Sequence, residues 1–298
     1  PPSSVGLMGS AAASAHILGL SQEQLQHALG ITASRAGGLM ANVGTMAKAT
    51  HCGWAAMSGL DAALLASRGF TSNATIFEAP NGYVEHFFGK QFNHDELLRV
   101  GHSYRMVDPG FVIKLFPCQY GTHFGILAGL DLHKQISNPD LIASVHIVSP
   151  LMPYVDRPAP KSGLNGKFSF QYTVAAALLD GSVTIPTFSD GRCTQPDIAA
   201  LLSRTTLTQD ETIPGVLEKM WVEVAVELQD GQRLSARCDG PQGFWGLPPL
   251  QRAEHLVKIR DCLGVRLDAE QTEQCIQLVE TLETLQSSEI AQLMALIG

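Results

Sequence analysis

The chain repeatedly gives whole helix faces to glycine and alanine. Gly6-Leu-Met-Gly9-Ser-Ala-Ala-Ala13-Ser-Ala-His16 does so near the start, and Gly53, Ala55, Ala56, Gly59 and Ala62 do so again within one later stretch. Side chains this small let helix axes approach closely, so such segments are expected to pack directly on one another. With 298 residues, of which 45% are hydrophobic and 16% charged, a large core in one or two domains is within reach.

From Val5 to about Val107 the pattern reads as helical. Ser21 with Gln24 makes a capping box for a helix ending near Gly30, and a later helix ends near Arg68-Gly69. The style changes at the turn signal Asp108-Pro109-Gly110, and the β-branched and aromatic run Phe111-Val-Ile-Lys-Leu-Phe116 predicts a strand. Beyond it we expect a helix from Thr122 to about His133, a strand from Ile142 to Ser149 and a Pro-rich connection. A buried helix from Phe168 to Leu179 follows, stopped by Asp180-Gly181. Val222, Val224, Val226 and Leu228 alternate with polar or small residues before Asp230-Gly231, which predicts an antiparallel hairpin with a type I′ turn. Helical segments return after Pro248-Pro249. The expected class is α+β. A mainly helical domain spans residues 1–107, completed by C-terminal helices at 264–298, and a smaller α+β domain spans 108–263.

Several function classes fall away. A formal charge of -8 without a local Lys/Arg cluster argues against a nucleic-acid surface, and an anionic substrate would need a concentrated positive pocket. The apolar run from Val174 to Leu179 is far shorter than the ~20 residues of a membrane helix. Six scattered cysteines, Cys52, Cys118, Cys193, Cys238, Cys262 and Cys275, give no zinc or disulfide framework and fit a reducing compartment, cytoplasmic or, in a eukaryote, mitochondrial. Gly6-x-x-Gly9, Gly37-Gly38 and Gly163-x-x-Gly166 lack the context of a nucleotide-binding loop, and His86 and His94 with Asp95 and Glu96 lack metal-ligand spacing. Pro1 rather than Met at the start predicts that the chain is part of something longer.

Three clusters carry chemistry. Lys48 and His51, at i and i+3 of one helix, project a permanent cation and a proton-exchanging imidazole in the same direction from an apolar, small-residue stretch. The plain alternative is a solvated lysine beside a core or capping histidine. Lys114-Leu-Phe-Pro-Cys118-Gln-Tyr-Gly-Thr122-His123 places a lysine in a strand and a histidine at a helix start whose N–H groups suit an anion; the alternative is an edge-strand lysine with an N-capping threonine. Ser162-Gly-Leu-Asn-Gly166-Lys167-Phe-Ser169-Phe-Gln-Tyr172 offers Lys167, Ser169 and Tyr172 to a carboxylate or hydroxyl. The alternative, which the pattern favours, is Ser169 as an N-cap and Tyr172 as a core residue with its hydroxyl paired. Cys118 reads as a small buried hydrophobe rather than a nucleophile.

In this order the clusters resemble the MmgE/PrpD family, which includes cis-aconitate decarboxylases, 2-methylcitrate dehydratases and iminodisuccinate epimerases. The resemblance covers essentially the whole chain. It runs through Gly-Leu-Ser21-Gln-Glu-Gln-Leu-x-His27-Ala-Leu-Gly30, Ala33-Ser-Arg-Ala-Gly-Gly-Leu-Met40, Lys48-x-x-His51-x-Gly-x-Ala-Ala56, Lys114-x-x-Pro-Cys118 with Thr122-His123, and Gly166-Lys-Phe-Ser-x-Gln-Tyr172. It implies a homodimer that needs no metal or organic cofactor, with Lys48 and Lys114 lining a site between domains and His51, His123 and Tyr172 at or beside it. The family pattern carries a further helical half before Pro1, with an acid residue and histidines used in catalysis. The chain is therefore expected to be a piece of a longer enzyme, or a homologue lacking half of its helical domain.

The expected activity is that of a cofactor-independent lyase on a citrate- or aconitate-like polycarboxylate, closer to the decarboxylase branch. Lys48 and Lys114 would hold carboxylates, His51 or His123 would move a proton, and Lys167, Ser169 and Tyr172 would contact substrate. Two alternatives stand beside it: an epimerase of a small dicarboxylate, and a silent scaffold that only dimerises.

Overall fold

The computed structural model describes residues 2–102, 104–241, 243–245 and 247–298. Contacts divide the chain into two compact units, one ending at Tyr104 and the other starting at Arg105.

The first unit is built on three helices, α1 (Pro2–Ile17), α2 (Gln22–Ala33) and α3 (Met46–Ser67). The expected capping box opens α2: Ser21 N donates to Gln24 Oε1 at 3.0 Å and Gln24 N to Ser21 Oγ at 3.2 Å. The glycine and alanine faces meet where α1 crosses α3. A Cβ on Gly59 would lie 2.5 Å from the backbone nitrogen of Ala11 and 2.6 Å from the Leu7 carbonyl oxygen, so only glycine permits this approach. Ala11, Ala15, Ala55, Ala62, Ala63 and Ala66 are buried beside it. The helical reading does not extend to Val107. After α3 the chain makes turns carrying only the short helices α4 (Tyr83–Phe87) and α5 (His94–Leu98), because Gly69, at φ 85, and the Pro80-Asn81-Gly82 corner, with Asn81 at φ 58, interrupt regular backbone. Tyr83 is buried against this unit, and its hydroxyl donates to the Ser4 carbonyl.

The second unit is α+β, as expected. Helix α6 (Thr122–His133) leads into β1 (Ile142–Pro150), and a long crossover follows, carrying α7 (Gly163–Gly166), α8 (Phe170–Asp180), α9 (Asp190–Cys193) and α10 (Pro196–Leu202). Strands β2 (Thr205–Asp210), β3 (Val222–Leu228) and β4 (Arg233–Cys238) complete a mixed sheet of order β2-β1-β3-β4. The crossover makes β1 and β2 parallel, whereas β3 runs antiparallel to β1 and to β4. Valines 222, 224 and 226 face the core with Val145, Ile147, Phe124, Phe170 and Leu178, while the alternate positions of β3 stay half-buried. Gly181, at φ 63, ends α8 as the sequence required.

Two expectations are corrected here. The hairpin exists, but only Gly231 of its loop has positive φ, 86°, so the type I′ turn is absent. Gly231 N donates to Leu228 O at 2.9 Å and Leu228 N to Gln232 O at 2.8 Å, the pattern of a tight turn closed by a glycine bulge. Residues 111–116 form no strand. Both sheet edges belong to other segments, and Pro117 lacks a donor to extend a ladder.

At one of those edges, β4 carries Arg233 paired with Glu227 at 3.1 Å, and Arg237 with its guanidinium 4.1 Å over the Trp221 ring. Helices α11 (Arg252–Leu263), α12 (Ala269–Glu280) and α13 (Ser287–Ile297) close the unit, with Cys275, Leu278 and Leu293 at their shared centre. Asp261 of α11 accepts from Ile185 N at 3.0 Å, which ties these helices to the crossover. Among the described residues no helix is long and apolar enough to cross a membrane.

Candidate functional site

In the helical unit, Lys48 and His51 lie one turn apart at the start of α3. Residues 46–50 are all exposed, Lys48 included, and His51 is half-buried. His51 lines a cavity of about 340 Å³ together with Arg35, Gly38, Asn42, Trp54 and Ser58; Lys48 does not. The Gly37-Gly38 turn closes onto α1. Gly38 has φ 88, and a Cβ there would sit 1.9 Å from Ser3 Oγ and 3.4 Å from His51 Nδ1, while Ser3 Oγ donates to Gly37 O at 3.0 Å. Arg35 is held by Asp61 at 2.6 Å.

In the α+β unit, the segment before α6 is wound tightly rather than extended. Lys114 Nζ donates to Cys118 O at 2.8 Å, and Thr122 Oγ1 donates to Gln119 O at 2.7 Å. Cys118 Sγ lies 3.2 Å from Thr122 Oγ1, and burial pushes its thiol up to about 12, so it stays protonated. That agrees with its reading as a buried hydrophobe. The N–H groups that begin α6 are used internally: Thr122 N donates to Gln119 Oε1 at 3.1 Å and His123 N to Tyr120 O at 3.0 Å.

His123 is fully buried. Its ring stands edge-on to Phe116 at 5.1 Å and tilts against Tyr120 at 4.7 Å, and among the described residues neither ring nitrogen has a partner at full hydrogen-bond geometry, the Phe116 backbone giving only a weak contact. Burial, reinforced by the nearby Lys114 charge, lowers its pKa to about 3. The imidazole is therefore neutral near pH 7. The Tyr120 hydroxyl is likewise buried with no partner among the described residues, and burial raises its pKa to about 12.

The glycine-punctuated loop meets this cluster through its backbone, since Gln119 N donates to Lys167 O at 2.9 Å. Lys167 is half-buried, with its ammonium 5.8 Å from the Phe188 ring centre. Ser169 and Tyr172 take the structural alternatives. Ser169, buried, accepts from Tyr172 N at 3.0 Å as the N-cap of α8 and donates to Arg157 O at 2.6 Å. Tyr172 is fully buried and its hydroxyl donates to Thr187 O, so in this arrangement neither hydroxyl is offered to a ligand.

Sequence reasoning passed over Arg35, Asn42, Gln119 and Tyr154. Gln119 Nε2 donates to the Tyr154 hydroxyl at 3.0 Å, which brings the Pro-rich connection to the Lys114 segment. Arg35 stood inside a quoted motif without a charged neighbour to mark it, and Gln119 stood beside Cys118 but is itself neither charged nor metal-binding; Asn42 and Tyr154 had no spacing signal at all. Among the described residues no three His, Cys, Asp or Glu side chains gather as a metal site.

The model of the MmgE/PrpD N-terminal domain matches residues 1–95, and that of the MmgE/PrpD C-terminal domain matches residues 116–284. The chain belongs to the MmgE/PrpD family. Its similar relatives include cis-aconitate decarboxylases. The mouse protein is 32% identical over 255 residues, covering 83% of this chain and 52% of the relative, and the human protein is 32% identical over 255 residues, covering 83% and 53%. The Aspergillus terreus enzyme is 25% identical over 294 residues, covering 90% of this chain and 59% of its own length. The chain spans about half the length of the mammalian relatives it matches. Both MmgE/PrpD domain types are thus represented: the N-terminal match contains Lys48 and His51, and the C-terminal match contains His123 and Lys167, with Lys114 two residues before it.

Proposed function

We propose that this chain forms part of a cofactor-independent lyase acting on an aconitate-like polycarboxylate, with cis-aconitate decarboxylation as the specific reaction. The reading is carried by the joint presence of Lys48 with His51 in one compact unit and of Lys114 and Lys167 in the other, in a chain of the MmgE/PrpD family similar to cis-aconitate decarboxylases. Lys48 and Lys114 bind carboxylates. His51, half-buried and lining a cavity, takes the proton-transfer role, because His123 is neutral and enclosed. Lys167 adds a cation beside the Lys114 segment.

Loss of carbon dioxide leaves an electron pair on carbon, which must be stabilised and then protonated. Fixed ammonium groups supply the first need and an imidazolium the second. One ion pair at 4 Å near a protein surface is worth on the order of 4 kcal/mol before desolvation, enough for two lysines to hold a trianion against a net-acidic protein. The assembly we expect is a homodimer.

Incubation of the protein with cis-aconitate, with release of carbon dioxide and formation of the five-carbon unsaturated diacid followed together, tests the reading. Carbon dioxide and diacid in equal amounts support it. Solvent deuterium uptake without either product would favour the epimerase, and no turnover with no carboxylate-dependent rise in Tm would favour the scaffold.

A further inference from the structure

The cavity in the helical unit is lined by donors that the protein itself does not use. Among the described residues Arg35 gives Nη1 alone to its neighbours, to Asp61 Oδ2 at 2.6 Å and to Ser58 O at 3.4 Å. Among the described residues its Nε and Nη2, the ring nitrogens of His51, the side-chain amide of Asn42, the Ser58 hydroxyl and the Trp54 indole N–H have no hydrogen-bond partner. Among the described residues no Asp or Glu lines this cavity. Arg192 shows the contrast. Its guanidinium nitrogens are all engaged, by Asp180 at 2.7 Å, Asp197 at 2.9 Å and Gln195 at 3.2 Å.

We infer that this cavity is a carboxylate subsite in which Arg35, clamped by Asp61, presents its remaining N–H edge to one end of a short-chain di- or tricarboxylate. A guanidinium matches the planar, two-oxygen carboxylate, and fixing one nitrogen on Asp61 pre-orients the others. Leu7 and the Trp54 ring give the apolar wall that a carbon skeleton needs and an inorganic anion does not. A volume of about 340 Å³ suits a ligand of this size. The inference rests on the lyase reading for its ligand class and adds Arg35 and Asn42 to the substrate contacts.

The test is calorimetric titration of the whole chain with tricarballylate, a saturated tricarboxylate, and with inorganic phosphate. Arg35→Gln and Asn42→Asp, the second placing a carboxylate in the cavity from a half-buried position, should each weaken tricarballylate binding at least tenfold. Phosphate should bind the parent at least tenfold more weakly than tricarballylate. Binding within threefold of the parent in both variants, equal affinity for phosphate, or no binding by the parent would each overturn the inference. Turnover of cis-aconitate separates the two readings: activity lost in Lys114→Ala but retained in Arg35→Gln leaves the lyase standing without this subsite.

Discussion

The ammonium of Lys114 donates to the carbonyl of Cys118, four residues on, at 2.8 Å. A lysine that closes its own loop holds its charge in one place rather than sweeping through solvent, and this is the arrangement expected of a substrate anchor.

Lys114→Ala should therefore lower kcat/KM for cis-aconitate at least tenfold. Lys114 is exposed, so Tm should move by no more than a few degrees. Unchanged kinetics would remove it from the site.

His123 makes stability depend on pH. Its pKa is about 3 when folded against the usual 6.5, so between these values the unfolded chain binds the extra proton and stability falls as pH falls. The loss approaches about 1.4 kcal/mol per pH unit below 6.5. Urea midpoints measured at pH 7 and pH 5 should diverge more in the parent than in His123→Gln. Equal divergence would show that the buried imidazole is not the titrating group.

At the α1–α3 crossing, Gly59→Ala forces a methyl group onto backbone atoms 2.5–2.6 Å away and should cost about 1–3 kcal/mol. Gly53→Ala on the same helix meets nothing within 4 Å and should be neutral or stabilising. Thermal denaturation of the pair reads the difference directly.

Tyr172→Phe leaves the buried Thr187 carbonyl without its donor and should destabilise by about 1–3 kcal/mol with KM unchanged. A raised KM at unaltered stability would instead place the hydroxyl on substrate.

What the sequence made legible follows from local chemistry. The Ser21 capping box, the span of α6, the glycine stop of α8 and the alternation of β3 are each written in a few adjacent residues. The absent strand at residues 111–116 and the parallel pairing of β1 with β2 were not legible, because pairing depends on which edge a distant segment reaches. The site divides in the same way. Lysines and histidines are visible in a sequence, but the neutrality of His123 comes from its burial among Phe116 and Tyr120, and the unused donors of Arg35 come from its contact with Asp61, 26 residues away.

The arginines on β4 also bear on how the sheet ends. An outermost strand invites another chain to add itself through open backbone groups. Here charged side chains alternate along that strand, Arg233 held by Glu227 and Arg237 seated on Trp221, so a further strand would have to lay its own side chains beside two fixed cations.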